Sequence, residues 1–250
     1  MAEKLLKEHL YGDLLAPEPG YMTDFAVGMT YSLGFDALLT AYLAFGMLDD
    51  VNDEALSKQH LMLEAISRSS DKVVVFCNKG GIAVPAKIQK VHSLLEGNIH
   101  EVFDKKNIHA NFHPKLWLIR EVSKEDSGDA QIKLIITSRN LKFTETLDCI
   151  ACLKGKVGPR THKNPKHKTL ADFVMNVAAC TTITDTANKS IKRLTEDLMR
   201  VEKFDVSSPF EDYDFFTYFF QEPHGKPSIP AELMGKQNVL VSPFIERNTL

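Results

Sequence analysis

With 250 residues, 44% hydrophobic and 25% charged, the chain has the composition of an ordinary globular protein, with room for one large domain or two small ones. No run of about 18 apolar residues occurs, which excludes a helical membrane span and leaves no membrane among the expected partners. A net charge of −3 argues against wholesale coating of a polyanion, so any such contact must come from a local patch. The start, Met1-Ala2-Glu3-Lys4, is charged and not signal-like, and a cytoplasmic location is the default.

Residues 1–20 read as an amphipathic lead-in that ends in the turn Pro17-Glu18-Pro19-Gly20. Phe25 to Ser32 is a predicted strand. Asp36 stands where it would cap a helix running to about Gly46, and a second helix is predicted over roughly Ala55 to Ser67. Lys72 to Cys77 has the pattern of a short buried strand, closed by the turn Asn78-Lys79-Gly80-Gly81. Pro85 near a first turn predicts a helix to Leu95, and Ile99 to Phe103 a further strand. Three strands follow at Phe112 to Val122, Ile132 to Thr137 and Leu147 to Leu153, with a polar connection from Lys124 to Ala130. Strands alternating with helices, then a run of strands, predict an α/β fold with a mixed β-sheet flanked by helices.

Lys154 to Lys168 contains no acidic residue, and its glycines and prolines predict a loop that follows the strand after Asn140 and could overhang the polar residues at its start. Such a loop suits a polyanionic backbone or is simply solvated, and Lys154, Lys156 and Arg160 are its candidate substrate contacts. Thr169 to Ala179 and Thr184 to Val201 carry apolar residues at helical spacing. The aromatic run Tyr213 to Phe220 is expected to be a core strand or helix in preference to a base-stacking platform. The cysteines Cys77, Cys149, Cys152 and Cys180 lie in apolar runs and are expected as buried thiols. Cys149 and Cys152 would face opposite ways on a strand, and no histidine nearby completes a zinc site, so neither a metal nor another cofactor is expected.

The chemistry is concentrated in two short motifs. In a strand, residues two apart share a face, so His113 and Lys115, with Trp117 next, point one way while Pro114, Leu116 and Leu118 point the other. Ser138 and Asn140 are also two apart and arrive from the end of the following strand. An imidazole, an ammonium, a hydroxyl and an amide suit a tetrahedral phosphate: the imidazole attacks phosphorus and the other groups hold its oxygens. A lone H-x-K is common by chance, and the S-x-N one strand later is what singles this one out. His109, His162 and His167 carry less weight. No Asp/Glu/His group has the spacing of a metal nuclease, and Asn78-Lys79-Gly80-Gly81 lacks Walker spacing.

H-x-K at His113 to Lys115, followed by S-x-N at Ser138 to Asn140, resembles one half of a phospholipase D superfamily active site. The aspartate usual after that lysine is missing, its place taken by Leu116 to Ile119 and Arg120. The departure is similar to the tyrosyl-DNA phosphodiesterase branch. Leu134 to Leu153 is also similar to bacterial phospholipase D-like proteins with an S-R-N-L turn and a later acid, here Asp148 with Glu145 as competitor. The specific match covers His109 to Leu153.

The resemblance implies a phospholipase D-like lobe and metal-independent phosphodiester cleavage through a phosphohistidine. His113 would be the nucleophile, with Lys115 and Asn140 on the non-bridging oxygens and Ser138 adding a hydrogen bond. Asp148 or Glu145 would orient the imidazole. It implies nucleic acid as substrate, DNA before RNA, in DNA repair or defence. Alternatives are a phospholipid phosphodiesterase, which the missing aspartate and the lack of an interfacial helix disfavour, or a catalytically incomplete lobe that binds nucleic acid or a scaffold partner.

The resembling proteins have two lobes, each supplying one motif set. The expected organisation is one lobe over 1–222, with a half-site at 109–153, the basic loop at 154–168 and a helical segment at 169–204. A linker at 223–237 would lead to the start of a truncated second lobe at 238–250, where Val239 to Phe244 weakly echo Val27 to Ser32. His224-Gly225-Lys226 also fits H-x-K, but prolines flank it and no S-x-N follows. The second histidine would then come from a missing C-terminal lobe or from a homodimer mate.

Overall fold

Ten residues, Tyr21–Thr30, form the strand β1 that orders the fold. Phe25 to Thr30 are buried without alternation, as befits a strand with neighbours at both edges and helices on both faces. The strand begins four residues before the predicted Phe25. A register shift between Thr23 and Phe25 breaks the period-two pattern there, and Asp24 instead meets Arg120 at 2.7 Å. The computed structural model describes residues 11–45, 66–67, 70–85, 90–105, 110–126, 128–143, 148–206, 208 and 210–217. Most of the helix expected over Ala55 to Ser67, His109, Glu145, the linker and the Val239 to Phe244 strand lie outside them.

The other sheet members are β3 (Val73–Asn78), β5 (Ile99–Val102), β6 (Leu116–Ser123), β7 (Ala130–Thr137) and β8 (Ile150–Lys156), in the order β5-β3-β1-β6-β7-β8. Pairing is parallel for β1 with β3 and β3 with β5, and antiparallel from β1 through β6 and β7 to β8. This is the expected mixed sheet. Two short strands, β2 (Leu33–Gly34) and β4 (Ile82–Ala83), pair beside it. The helices α1 (Tyr11–Leu15), α2 (Phe35–Ala44) and α3 (Lys90–Glu96) cover one face, where Leu38, Tyr42, Val91 and Leu95 pack on Val75, Ile119 and Ile135. Helices α4 (Lys168–Ala179) and α5 (Asp185–Arg200) cover the other, where Val174, Val177, Ile191, Leu194 and Leu198 pack on Val27, Leu118 and Leu134.

The later helices follow their sequence signals. Thr184 caps α5 by accepting the Ala187 N–H, and its buried residues recur at helical spacing. One earlier signal misled. Gly34, not Asp36, is the N-cap of α2. Asp36 lies inside the first turn and meets His92 at 3.3 Å. The helix expected over Pro85 to Leu95 is described from Lys90 to Glu96, with 86–89 outside the described residues.

The basic segment is also different from the expected loop. Lys154 and Lys156 belong to β8, and Lys154 is paired with Glu18 at 2.5 Å. Asn164 caps a short 3-10 turn, Pro165–His167, and the His167 ring is fully buried. Its Nδ1 donates to the Leu198 carbonyl (3.0 Å) and its Nε2 accepts from Tyr213 (2.7 Å). Tyr213 and Phe215 gather around it, so this part of the aromatic run contributes to the core without becoming a strand or helix. Of the four thiols only Cys77 is buried, and Cys149 is exposed ahead of β8.

Gly28 of β1 lies against the Trp117 ring so closely that a Cβ there would sit 2.7 Å from it, and Trp117 also meets Phe45 edge-on. Charge is buried within the sheet as well. Lys133 is 1% exposed and Glu121 fully enclosed, and the Lys133 ammonium lies 2.6 Å from both the Glu121 carboxylate and the Ala16 carbonyl. Gln131 donates to the second Glu121 oxygen at 2.7 Å.

Candidate active site

Parallel β1 and β3 end at the same edge of the sheet, the edge at which β6 begins, β7 ends and β8 begins. In open α/β sheets this carboxyl edge is where ligands are commonly held. All the polar residues of the two motifs are delivered there by topology: His113 and Lys115 just before β6, Ser138 and Asn140 just after β7, Asp148 just before β8.

His113 and Lys115 are not members of β6, whose ladder with β1 starts at Leu116 opposite Met29. They occupy an extended approach to it. Pro114 biases the residue before it toward extended conformations. The approach is pinned at both ends: Phe112 is buried and donates its N–H to the Asn78 side chain (2.8 Å), and the Lys115 carbonyl accepts from the Thr137 N–H (3.0 Å). The pairing expected of the two side chains is therefore achieved without a strand. Trp117, expected on their face, is instead buried against Gly28.

The Lys115 ammonium donates to Nδ1 of the exposed His113 ring at 2.9 Å. The ring also lies on Tyr31, centroids 4.7 Å apart. Partial enclosure, and then the neighbouring ammonium, hold the His113 pKa below its ordinary 6.5. Enclosure also lowers that of Lys115 from 10.5. A pKa below 6.5 leaves the imidazole mostly neutral at pH 7, the form a nucleophile needs, with its Nδ1 lone pair accepting from Lys115.

Asn140 is tied to the same end of β1. Its side-chain oxygen accepts from the Ser32 N–H at 3.4 Å, while Leu141 donates to Thr30 (3.0 Å) and accepts from Gly34 (2.8 Å). His113 and Asn140 thus rest on consecutive residues, Tyr31 and Ser32. Ser138 is more committed than expected: its hydroxyl donates to Asp148 (3.1 Å) and accepts from the Cys149 N–H (3.0 Å). Asp148 also meets Arg139 at 3.3 Å. In this arrangement the acid expected to orient His113 braces the turn after β7, and among the described residues His113 meets Lys115 and Tyr31. Glu145, its competitor, is outside the described residues.

The remaining predicted contacts are elsewhere. Lys154 lies opposite Lys133 and Lys156 opposite Gln131, five and seven residues before Ser138 in β7, or about 17 and 24 Å at 3.4 Å per residue. Arg160 lies beyond them, past the end of β8. Hairpin geometry carries the basic segment away from the site rather than over it.

Sequence reasoning missed the support beneath the pair: Tyr31, Asn78 and Gly81. The Asn78-Lys79-Gly80-Gly81 turn held the signal. A Cβ on Gly81 would lie 2.3 Å from the Tyr31 carbonyl oxygen and 2.7 Å from that of Asn78, both backbone atoms. Gly81→Ala is therefore expected to displace the ends of β1 and β3, destabilise the protein by roughly 1–3 kcal/mol and weaken any reaction at His113. Urea unfolding, with the activity assay described below, checks this.

Among the described residues no group of three His, Cys, Asp or Glu side chains could hold a metal ion, and no helix is long and apolar enough to cross a membrane. No family model and no curated protein matches this sequence. Solved structures similar to it include the SCAN1 mutant of yeast tyrosyl-DNA phosphodiesterase 1, at 13% identity and a TM-score of 0.45, covering 74% of this chain and 36% of that one. Two further structures of the yeast enzyme are similar at 14% identity, with TM-scores of 0.44 and 0.43. They cover 77% and 70% of this chain and 38% and 35% of theirs, so the chain spans little more than a third of the enzyme it resembles.

Proposed function

We propose that this chain supplies one half of the active site of a metal-independent phosphodiesterase acting on nucleic acid, DNA before RNA, through a phosphohistidine. The observation that carries the reading is the His113 imidazole, held 2.9 Å from the Lys115 ammonium at the sheet edge where Asn140 also arrives. A phosphate arriving there competes for the ammonium and frees the ring. A ring nitrogen of His113 then donates its lone pair to phosphorus, and the leaving oxygen departs with the P–O electron pair. Lys115 and the Asn140 amide hold the non-bridging oxygens as charge develops. Water later attacks phosphorus, the P–N bond breaks and its electrons return to the imidazole.

A poor leaving group needs a proton, which a second histidine from another lobe or a partner copy would supply. A nitrophenolate leaving group does not. The chain alone, given thymidine 5′-nitrophenyl phosphate in EDTA, is therefore expected to release about one equivalent of nitrophenolate per site in a burst. It should retain an acid-labile thymidylyl group, joined to His113 through phosphorus and located by peptide mass spectrometry. A burst that EDTA abolishes, or a label on another residue, overturns the mechanism. The residues that would bind substrate are Lys115, Asn140 and, once released from Asp148, Ser138. The wider organisation that this reading carries is a lobe over 1–222 followed by a linker and the start of a second lobe.

A further inference from the structure

The positive charge carried away from His113 collects at the other end of the sheet. A cavity of about 850 Å³ lies between α5, the middle of β6 and the segment after β8. Two of its arginines are structural. Arg120 donates to Asp197 and Asp24, both at 2.7 Å, and Arg200 donates to Asp197 (2.6 Å) and to the Gly158 carbonyl. Asp197 is only 4% exposed and is neutralised by the pair. Their role is to fix the floor.

Three more cations line the same cavity with their charge unspent. Arg160 and Lys163 are exposed and make no ion pair among the described residues. Arg193, one turn before Asp197 on α5, is 57% exposed and reaches Asp24 only at 3.9 Å. Glu196 is the single uncommitted carboxylate in the lining, which leaves a net charge of about +2 in a concave site on a protein whose total is −3. Concavity raises the potential of like charges, and guanidinium forks match phosphate oxygens.

Resting on the proposed function, we infer that this cleft binds the phosphate backbone of the nucleic-acid substrate at a distance from the reacting bond. Arg160, Lys163 and Arg193 contact phosphates there, and Arg120 and Arg200 hold the walls. Arg120 is five residues along the chain from Lys115, roughly 17 Å in extended chain. At about 3.4 Å per nucleotide along a duplex strand, that is some five nucleotides. The cleft therefore favours substrates longer than that over short ones.

The test is fluorescence anisotropy of the whole chain with a fluorescein-labelled 20-mer of thymidylate in EDTA, across a salt series. Substituting Arg160→Gln, Lys163→Gln and Arg193→Gln together changes only exposed residues, and a thermal melt checks that the fold is kept. The triple variant should bind at least about tenfold more weakly at low salt. Its slope of log K against log salt should be shallower by about 2, at 0.7 per single-strand phosphate contact for three contacts. The unsubstituted chain should bind a 5-mer, which has fewer phosphates to share between cleft and sheet edge, more weakly than the 20-mer. Wild-type affinity and slope in the triple variant would overturn the inference. The nitrophenolate burst of the unsubstituted chain tests the catalytic reading separately. If that burst is absent but the triple variant still loses the 20-mer, the cleft stands as a polyanion site and the catalysis does not.

Discussion

His113→Ala should release no burst of nitrophenolate and take up no acid-labile thymidylyl group, a loss of roughly 10³-fold or more in the first step. Lys115→Ala and Asn140→Ala should each cost about 10²–10³-fold, because each removes a group that holds the developing charge and neither removes the nucleophile. The pH profile separates a nucleophile from a mere phosphate contact. The reactive form is the neutral ring, and its pKa is held below 6.5, first by enclosure and then by the Lys115 charge. The rate should thus be flat through neutrality and fall as pH drops through that lowered pKa. In Lys115→Gln the second cause disappears while the first remains. The acid limb should move up toward 6.5 even as the plateau falls. A limb that does not move in Lys115→Gln, or near-normal bursts from His113→Ala, would sink the assignment.

Lys133→Met should be the most damaging single change in the sheet, at roughly 3–5 kcal/mol by urea unfolding, because it strands the enclosed Glu121 carboxylate. The companion Glu121→Met should be comparably harmful, leaving the ammonium with only Ala16, Glu18 and solvent that cannot reach it. The double variant should recover most of the loss, since two apolar side chains of similar volume replace a pair whose attraction and desolvation nearly cancel. If the double variant is as unstable as the sum of the singles, the ion pair is not the reason for either effect.

The parts of this molecule legible from its sequence were those governed by local rules. The buried run Val73 to Phe76, the capped α5 and the S-x-N at the end of β7 all sit close to where period and spacing put them. The pair His113 and Lys115 was legible for a partly different reason than the one that operates, since Pro114 and the anchors at Phe112 and Thr137 hold an extended approach where a strand was expected. What local rules could not give was partnership across the fold. Lys154 looks like a free cation in a run of cations. Its fate is decided by Glu18, 136 residues away, and by a hairpin register that points it down the sheet. Asp148 looks like the family's orienting acid, yet Ser138 and Arg139 reach it first because β7 and β8 meet at that turn. Gly81 is invisible as a site residue until the carbonyls of Tyr31 and Asn78 are seen closing on it.

The contact of Gly28 with Trp117 has a further use. Trp117 is the chain's single tryptophan, it is 2% exposed, and it stands two residues from Lys115 on the same continuous segment. Its indole emission therefore arises from one known position at the mouth of the sheet, shielded from water and close to Phe45. Native protein should fluoresce at short wavelength, and a red shift should report loss of the packing that holds β6 in register. The molecule thus carries an intrinsic optical reporter beside its candidate nucleophile, readable without any label.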